Sequence, residues 1–184
     1  MTIEGTPPEF QFLQSPLGGT LVVIVALAAF VVTLIWARRP GHPDRMTAVY
    51  AATFTSVLVV AITIVAVAAG WWQGTFFAIP LIVAAAIDLP LSIAGYTLWL
   101  GGYRWLAGKT RRAFLIYIVV VLAFIPVVLL VDPIQMQRNQ FSLGNGYTVL
   151  TDALVGQVVM LSPVLAYEAI RHRKHVPTAE RSSL

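Results

Sequence analysis

Five apolar segments, each long enough to cross a bilayer, restrict the fold of this chain more than any other feature. They occupy residues 18–37, 47–72, 76–99, 113–131 and 149–170. About 20 apolar helical residues span the roughly 30 Å hydrocarbon core of a membrane. Because backbone groups in lipid must be hydrogen-bonded within the protein, each segment is predicted to be a helix. The sequence therefore predicts an all-α membrane protein, a bundle of five transmembrane helices.

The basic residues predict the orientation of this bundle. Eleven of the twelve Lys and Arg residues follow the first, third or fifth segment, and only Arg138 lies in a loop on the opposite side. The positive-inside rule then places the N-terminus outside and the C-terminus in the cytoplasm. We expect an external tail over residues 1–17, a transmembrane domain over 18–170 and a basic cytoplasmic tail over 171–184.

Composition excludes several classes of protein. Charged residues make up 11% of the chain, against about 25% in soluble domains, and there is no cysteine. Disulfides and cysteine-ligated metals are therefore excluded. The net charge of +4 sits in the predicted loops without interleaved aromatic residues, which argues against nucleic-acid binding. The sequence predicts no metal site and no cofactor. Its abundance of Arg, Ala and Val favours a bacterial plasma membrane.

An acidic residue inside the third segment is the main indication of function. Asp88 lies twelve residues after Phe76, about 18 Å along a helix, so we expect it near the bilayer centre. There an acid costs at least about 2.5–3.5 kcal/mol. Ser92, Tyr96 and Trp99 follow on the same helix face. Asp88 and Tyr96 are predicted catalytic or proton-binding groups, with Ser92 and Trp99 as ligand contacts. The structural alternative is a hydrogen bond between helices.

Further polar residues lie in the fifth segment and in the loop before it. Gln157 is a predicted ligand contact and direct partner of Asp88, and Asp152 is a predicted acid–base counterpart. In the loop predicted over residues 132–148, Arg138 and Asn139 either contact a ligand or partner or belong to a solvated connector.

Two further patterns predict ordinary structural contacts. Glu168 is expected to pair with Arg171 and His172, which follow it by three and four residues on one helix face. Small residues at positions 48, 52 and 56 of the second segment predict a face that packs closely against another helix.

Three hypotheses for function remain open at this point. The first is transport or permeation of a small lipophilic molecule, an ion or a proton at a site centred on Asp88. The second is a membrane-embedded enzyme that acts on a lipid or isoprenoid by acid–base chemistry, with Asp88 and either Asp152 or Tyr96. The third is an accessory subunit of a membrane complex. Expected partners are membrane lipids and either a second copy of the chain or another membrane protein.

Overall fold

The computed structural model describes residues 16–40, 44–73, 81–137 and 142–175. These residues form an all-α bundle with one short two-stranded sheet. In chain order the elements are α1 Pro16–Arg38, α2 Asp44–Ala68, β1 Trp72–Gln73, α3 Leu81–Lys109, α4 Ala113–Ala123, α5 Ile125–Gln137, β2 Ser142–Leu143 and α6 Val149–His175.

Four stretches of helix are long and apolar enough to cross a membrane. They are Leu17–Arg38, Asp44–Ala68, Ala113–Val131 and Val149–Arg173. The chain is therefore compatible with an integral membrane protein. The helix α3 has 29 residues and a length of about 43 Å at 1.5 Å per residue. That α3 is a fifth crossing, and which way the termini point, remain predictions.

The fourth apolar segment is not one uninterrupted helix. It is divided at Phe124, which lies between α4 and α5 and two residues before Pro126. Two hydrogen bonds of 3.0 Å stabilise this turn. Phe124 N donates to Val121 O, and Val128 N donates to Phe124 O. Pro126 is tolerated because the first turn of a helix needs no donor there.

The helix α5 also continues further than the sequence predicts. It ends at Gln137, so the prediction of a loop beginning at residue 132 is wrong for residues 132–137. Gln and Met are good helix formers, and they extend the helix beyond its apolar part. The rest of the predicted loop includes β2, and residues 138–141 lie outside the described residues.

Small residues allow α2 to pack closely against its neighbours. Ala48, Ala51, Ala52 and Ser56 are fully buried within the bundle. The core around them includes residues of α3, α4 and α6, with Leu100 among the largest fully buried side chains. The predicted packing face of the second segment is therefore confirmed.

One end of the bundle, here called the sheet end, is closed by β1 and β2. The strands pair antiparallel, with Trp72 opposite Leu143. Asn145 Nδ2 donates to the carbonyl of Ala69 at 2.6 Å, and the rings of Trp71 and Tyr147 stack 5.4 Å apart. These contacts fasten the segment before α6 to the end of α2.

The opposite end, here called the basic end, is where α1, α3 and α6 finish and where α2 and α4 begin. Arg45, in the first turn of α2, donates through Nη1 to the carbonyl of Trp36 at 3.3 Å. Its guanidinium also lies 4.7 Å from the centre of the Trp36 ring. Other described arginines at this end are Arg38, Arg39, Arg104, Arg111, Arg112, Arg171 and Arg173.

Candidate functional site

A row of polar side chains follows one edge of α3. Asp88, Ser92, Tyr96 and Trp99 are spaced by four, four and three residues, and Tyr103 extends the row by four more. Residues at these spacings are neighbours on a helix surface. The fifteen residues from Asp88 to Tyr103 correspond to about 22 Å along the axis, a large part of the hydrocarbon thickness.

Asp88 is exposed on α3 rather than enclosed by the bundle. Within the described part of the chain its carboxyl makes no hydrogen bond and no ion pair, and Gln157 does not bond to it. Tyr96 lies eight residues further along α3, about 12 Å along the axis, on the same face as Asp88. The helix remains continuous through Pro90, which cannot donate to the carbonyl of Ala86.

The depth of Asp88 follows from the register between α3 and α6. Tyr103 contacts Glu168, and both helices run towards the basic end. Counting back fifteen residues along each helix, at the same rise per residue, places Asp88 level with Ala153. By this count Asp88 lies closer to the sheet end than to the basic end, and its depth in a membrane remains a prediction.

Tyr117 of α4 connects the row on α3 to α6. Its hydroxyl donates to the carbonyl of Met160, and it accepts a hydrogen bond of 2.8 Å from Trp99 Nε1. Ala113, Tyr117 and Val121, at a spacing of four, are the buried residues of α4, so the phenol is directed into the bundle.

Tyr103 continues the row to the basic end. Its ring lies 5.6 Å from that of Tyr117 and 6.2 Å from that of Tyr167, both edge to face. Its hydroxyl donates to Glu168 Oε1 at 2.8 Å. Together these residues form what we call the polar seam: Asp88, Ser92, Tyr96, Trp99, Tyr103, Tyr117 and Glu168.

Glu168 ends the seam among basic side chains. Its carboxylate lies 3.7 Å from Arg171 Nη1 and 4.0 Å from His172 Nε2, so the predicted pairing on α6 is confirmed. The hydrogen bond from Tyr103 adds a contact between helices that the sequence does not predict. Glu168 is thus both a surface ion-pair partner and the last residue of the seam at the basic end.

The seam has three gaps in its hydrogen bonding. No hydrogen bond joins Asp88 to Tyr96, Tyr96 to Tyr117 or Tyr117 to Tyr103 in the regions that the structure describes. Ser92 does not fill the first gap, because its hydroxyl donates to the carbonyl of Leu89 at 3.2 Å. Movement of a proton along the whole seam would therefore require water at all three places.

Asp152 belongs to the sheet end rather than to the seam. Its Oδ1 accepts a hydrogen bond of 2.8 Å from Trp72 Nε1, which ties the first turn of α6 to β1. The register places Asp152 and Asp88 at similar depths, but no hydrogen bond links either of them to the other in the described structure. Joint action of the two acids remains a prediction.

Gln157 is enclosed in the bundle, with 5% of its surface exposed. Its Oε1 and the Oγ1 of Thr97 are buried atoms without a hydrogen-bond partner within the described ranges. An unpaired buried acceptor costs about 1–3 kcal/mol, and such atoms are normally paired with water or a ligand. The predicted partnership of Gln157 with Asp88 does not occur, and its ligand role remains a prediction.

Some predicted residues cannot be placed and some site residues were not foreseen. Arg138 and Asn139 lie outside the described residues. Tyr117 and Tyr103 were not predicted as site residues, although a single hydroxyl in the aliphatic segment 113–131 was an available signal for Tyr117. In the portions described, no group of three His, Asp or Glu side chains is arranged to hold a metal ion.

Comparison with family models, curated proteins and solved structures finds no match to this chain. Function must therefore be inferred from the residues and contacts of the chain itself.

Proposed function

We propose that this chain is a five-helix protein of a bacterial plasma membrane that conducts protons along the polar seam. In this proposal α3 is the fifth transmembrane helix, the N-terminus is outside and the basic end faces the cytoplasm. The four apolar helices and the collection of arginines at one end of the bundle support this arrangement.

The observation that carries the proposal is the unpaired, exposed carboxyl of Asp88 at the head of a row of hydroxyl groups. An acid in a membrane helix is costly, and a structural acid would be expected to recover part of that cost by pairing with its neighbours. Asp88 makes no such pair in the described structure. A site that takes up a proton, or a small cation, explains this exposure.

Each residue of the seam has a defined part in this proposal. Asp88 takes up the proton near the outer surface, and water links it to Tyr96, then to Tyr117 and from there to Tyr103. Trp99 holds the Tyr117 hydroxyl through its indole N–H at 2.8 Å. Tyr103 passes the proton to Glu168, which releases it at the basic end.

The enzyme hypothesis has less support from the geometry. It needs a second acid that acts with Asp88 on one substrate, and the predicted candidate, Asp152, is hydrogen-bonded to Trp72 at 2.8 Å. Tyr96, the other predicted counterpart, forms no hydrogen bond with Asp88 in the described structure.

The test is proton flux into vesicles that contain the purified full-length protein. A potassium gradient with valinomycin drives the flux, and an enclosed pH-sensitive dye reports it. Wild-type protein should acidify the lumen faster than protein-free vesicles, and Asp88→Asn should reduce flux to the protein-free level. Asp44→Asn, which neutralises an aspartate in the first turn of α2 at the basic end, is the matched control and should conduct normally.

Two results would overturn the proposal. One is a wild-type flux no greater than that of protein-free vesicles. The other is an Asp88→Asn variant that conducts as well as the wild type when both are reconstituted in equal amounts.

A further inference from the structure

A pocket lies at the basic end, where the end of α3, the beginning of α4 and the end of α6 meet. Its volume is about 520 Å³. The residues that line it include Tyr103, Arg111, Phe114, Glu168, Arg171 and His172. The pocket shares Tyr103 and Glu168 with the polar seam, but its two arginines and its apolar wall play no part in proton conduction.

The lining carries an excess of positive charge. Arg111 and Arg171 provide two guanidinium groups, and Glu168 is the only acidic residue of the lining. The side chain of Arg111 forms no ion pair and no hydrogen bond with any described residue. Its donors are therefore available to an added anion.

Arg171 is only weakly engaged by its neighbour on the helix. Its distance of 3.7 Å from Glu168 is longer than a hydrogen bond, and 45% of its side-chain surface is exposed. The Tyr103 hydroxyl already occupies Oε1 of Glu168 at 2.8 Å. A planar guanidinium offers paired N–H donors that match the oxygens of a phosphate group.

The other wall of the pocket is apolar and continues onto the outer surface of α4. Ala107, Ala113 and Phe114 form this wall. Leu115 and Val119, further along α4, are exposed apolar residues. A ligand with a charged head and an apolar tail could place its head beside the arginines and its tail along α4.

We infer that this pocket binds the phosphate headgroup of an anionic membrane lipid. Arg111 and Arg171 contact the phosphate oxygens, and Phe114 contacts the start of the acyl chains. The position at the basic end agrees, because arginines beside a membrane surface attract anionic lipids. The inference goes beyond proton conduction and does not depend on it, since it requires only that the helices cross a membrane.

The test measures lipid binding directly by native mass spectrometry of the full-length protein in detergent. The probes are phosphatidylglycerol and phosphatidylcholine with identical acyl chains. Wild-type protein should bind phosphatidylglycerol more tightly. Arg111→Gln and Arg171→Gln should each weaken that binding about tenfold, as expected for the loss of one charge-assisted contact.

Arg112→Gln is the matched control, because Arg112 has the same charge, lies next to Arg111 and does not line the pocket. It should bind phosphatidylglycerol like the wild type. If Arg111→Gln does not fold, Arg111→Lys serves instead, since it keeps the charge and loses the paired donors. It should weaken binding less than Arg171→Gln does.

Two comparisons distinguish a lipid headgroup in the pocket from diffuse surface charge and from a soluble phosphate compound. Equal weakening by Arg112→Gln, or equal affinity for the two lipids, would show a diffuse surface effect and overturn the inference. Addition of inorganic phosphate or glycerol phosphate tests the source of the ligand. Failure of both to displace the lipid supports a lipid headgroup, whereas displacement at low concentration would overturn it in favour of a soluble phosphate compound.

Discussion

Polar side chains occur within apolar helices in two regions, the contact between α2 and α6 and the polar seam. The two regions differ in whether these side chains are buried and hydrogen-bonded. Between α2 and α6, the hydroxyls of Thr55 and Ser162 are buried and lie 3.0 Å apart. In the seam, Asp88 is exposed and without a partner among the described residues. Buried and paired groups belong to the packing of the bundle, whereas the exposed and unpaired acid is the observation on which the proposed proton site rests.

The prolines inside α3 and α6 show the same difference. Pro163 leaves the carbonyl of Val159 without its helical donor, and Ser162 donates to that carbonyl at 2.8 Å. Pro90 has the corresponding effect on Ala86, yet Ser92 donates to Leu89 instead. The α6 proline is compensated by the serine beside it, and the serine near Asp88 gives no such compensation.

The largest loss of stability should come from filling the small-residue face of α2. Ala52 is fully buried against its neighbours. Ala52→Leu should therefore cost about 3 kcal/mol or prevent folding, because the helices cannot separate to admit the side chain. Thermal denaturation of the detergent-solubilised protein measures this. Ala61→Leu on the exposed side of α2 should behave like the wild type, and equal losses at both positions would contradict close packing.

An intermediate loss of stability should follow from Tyr117→Phe. The change removes the acceptor of the Trp99 indole N–H and the hydrogen bond to the Met160 carbonyl, so the cost should approach 1.7 kcal/mol, about the largest value for hydrogen bonds between membrane helices. Tyr50→Phe, at an exposed position on α2, is the control and should leave the melting temperature unchanged. An unchanged melting temperature for Tyr117→Phe would mean that Tyr117 does not join the helices.

Smaller losses should follow from Thr55→Val and Ser162→Ala. A hydrogen bond between membrane helices contributes about 0.6 kcal/mol on average. Ser162→Ala should cost more than Thr55→Val, because Ser162 also serves the carbonyl of Val159. Thr63→Val is the control, since its hydroxyl bonds only to its own helix. The reverse order in melting temperature would contradict the role given to Ser162.

The smallest loss of stability, or a gain in stability, should follow from Asp88→Leu. Removing an unpaired acid from an apolar helix relieves the cost of placing it there, so the melting temperature should not fall. Asp152→Leu provides the contrast, since it removes the acceptor of the Trp72 indole and should lower stability. A clear loss of stability in Asp88→Leu would show that Asp88 has a structural partner.

The sequence predicts the helices well because long apolar segments leave the backbone few alternatives in lipid. It also predicts the row from Asp88 to Trp99, since spacing alone determines which residues share a helix face. The extension of α5 through Gln137 could not be predicted from the sequence, because polar residues that follow an apolar segment are also typical of a loop.

The partners of the seam residues were harder to predict. The segment containing α4 is apolar on every side, so no periodic pattern shows that Tyr117 faces inward. The bond between Trp72 and Asp152 joins residues eighty positions apart and depends on how the sheet end folds.

The most direct test of a conducting seam is whether water reaches it. The chain has no cysteine, so each introduced thiol is the only one present. Ser92→Cys and Leu98→Cys, in vesicles, can be compared by their rates of reaction with a water-soluble thiol reagent. Leu98 is 78% exposed on the apolar side of α3 and serves as the lipid-facing control. A conducting seam predicts rapid reaction at Ser92→Cys and very slow reaction at Leu98→Cys, whereas equally slow reaction at both would contradict it.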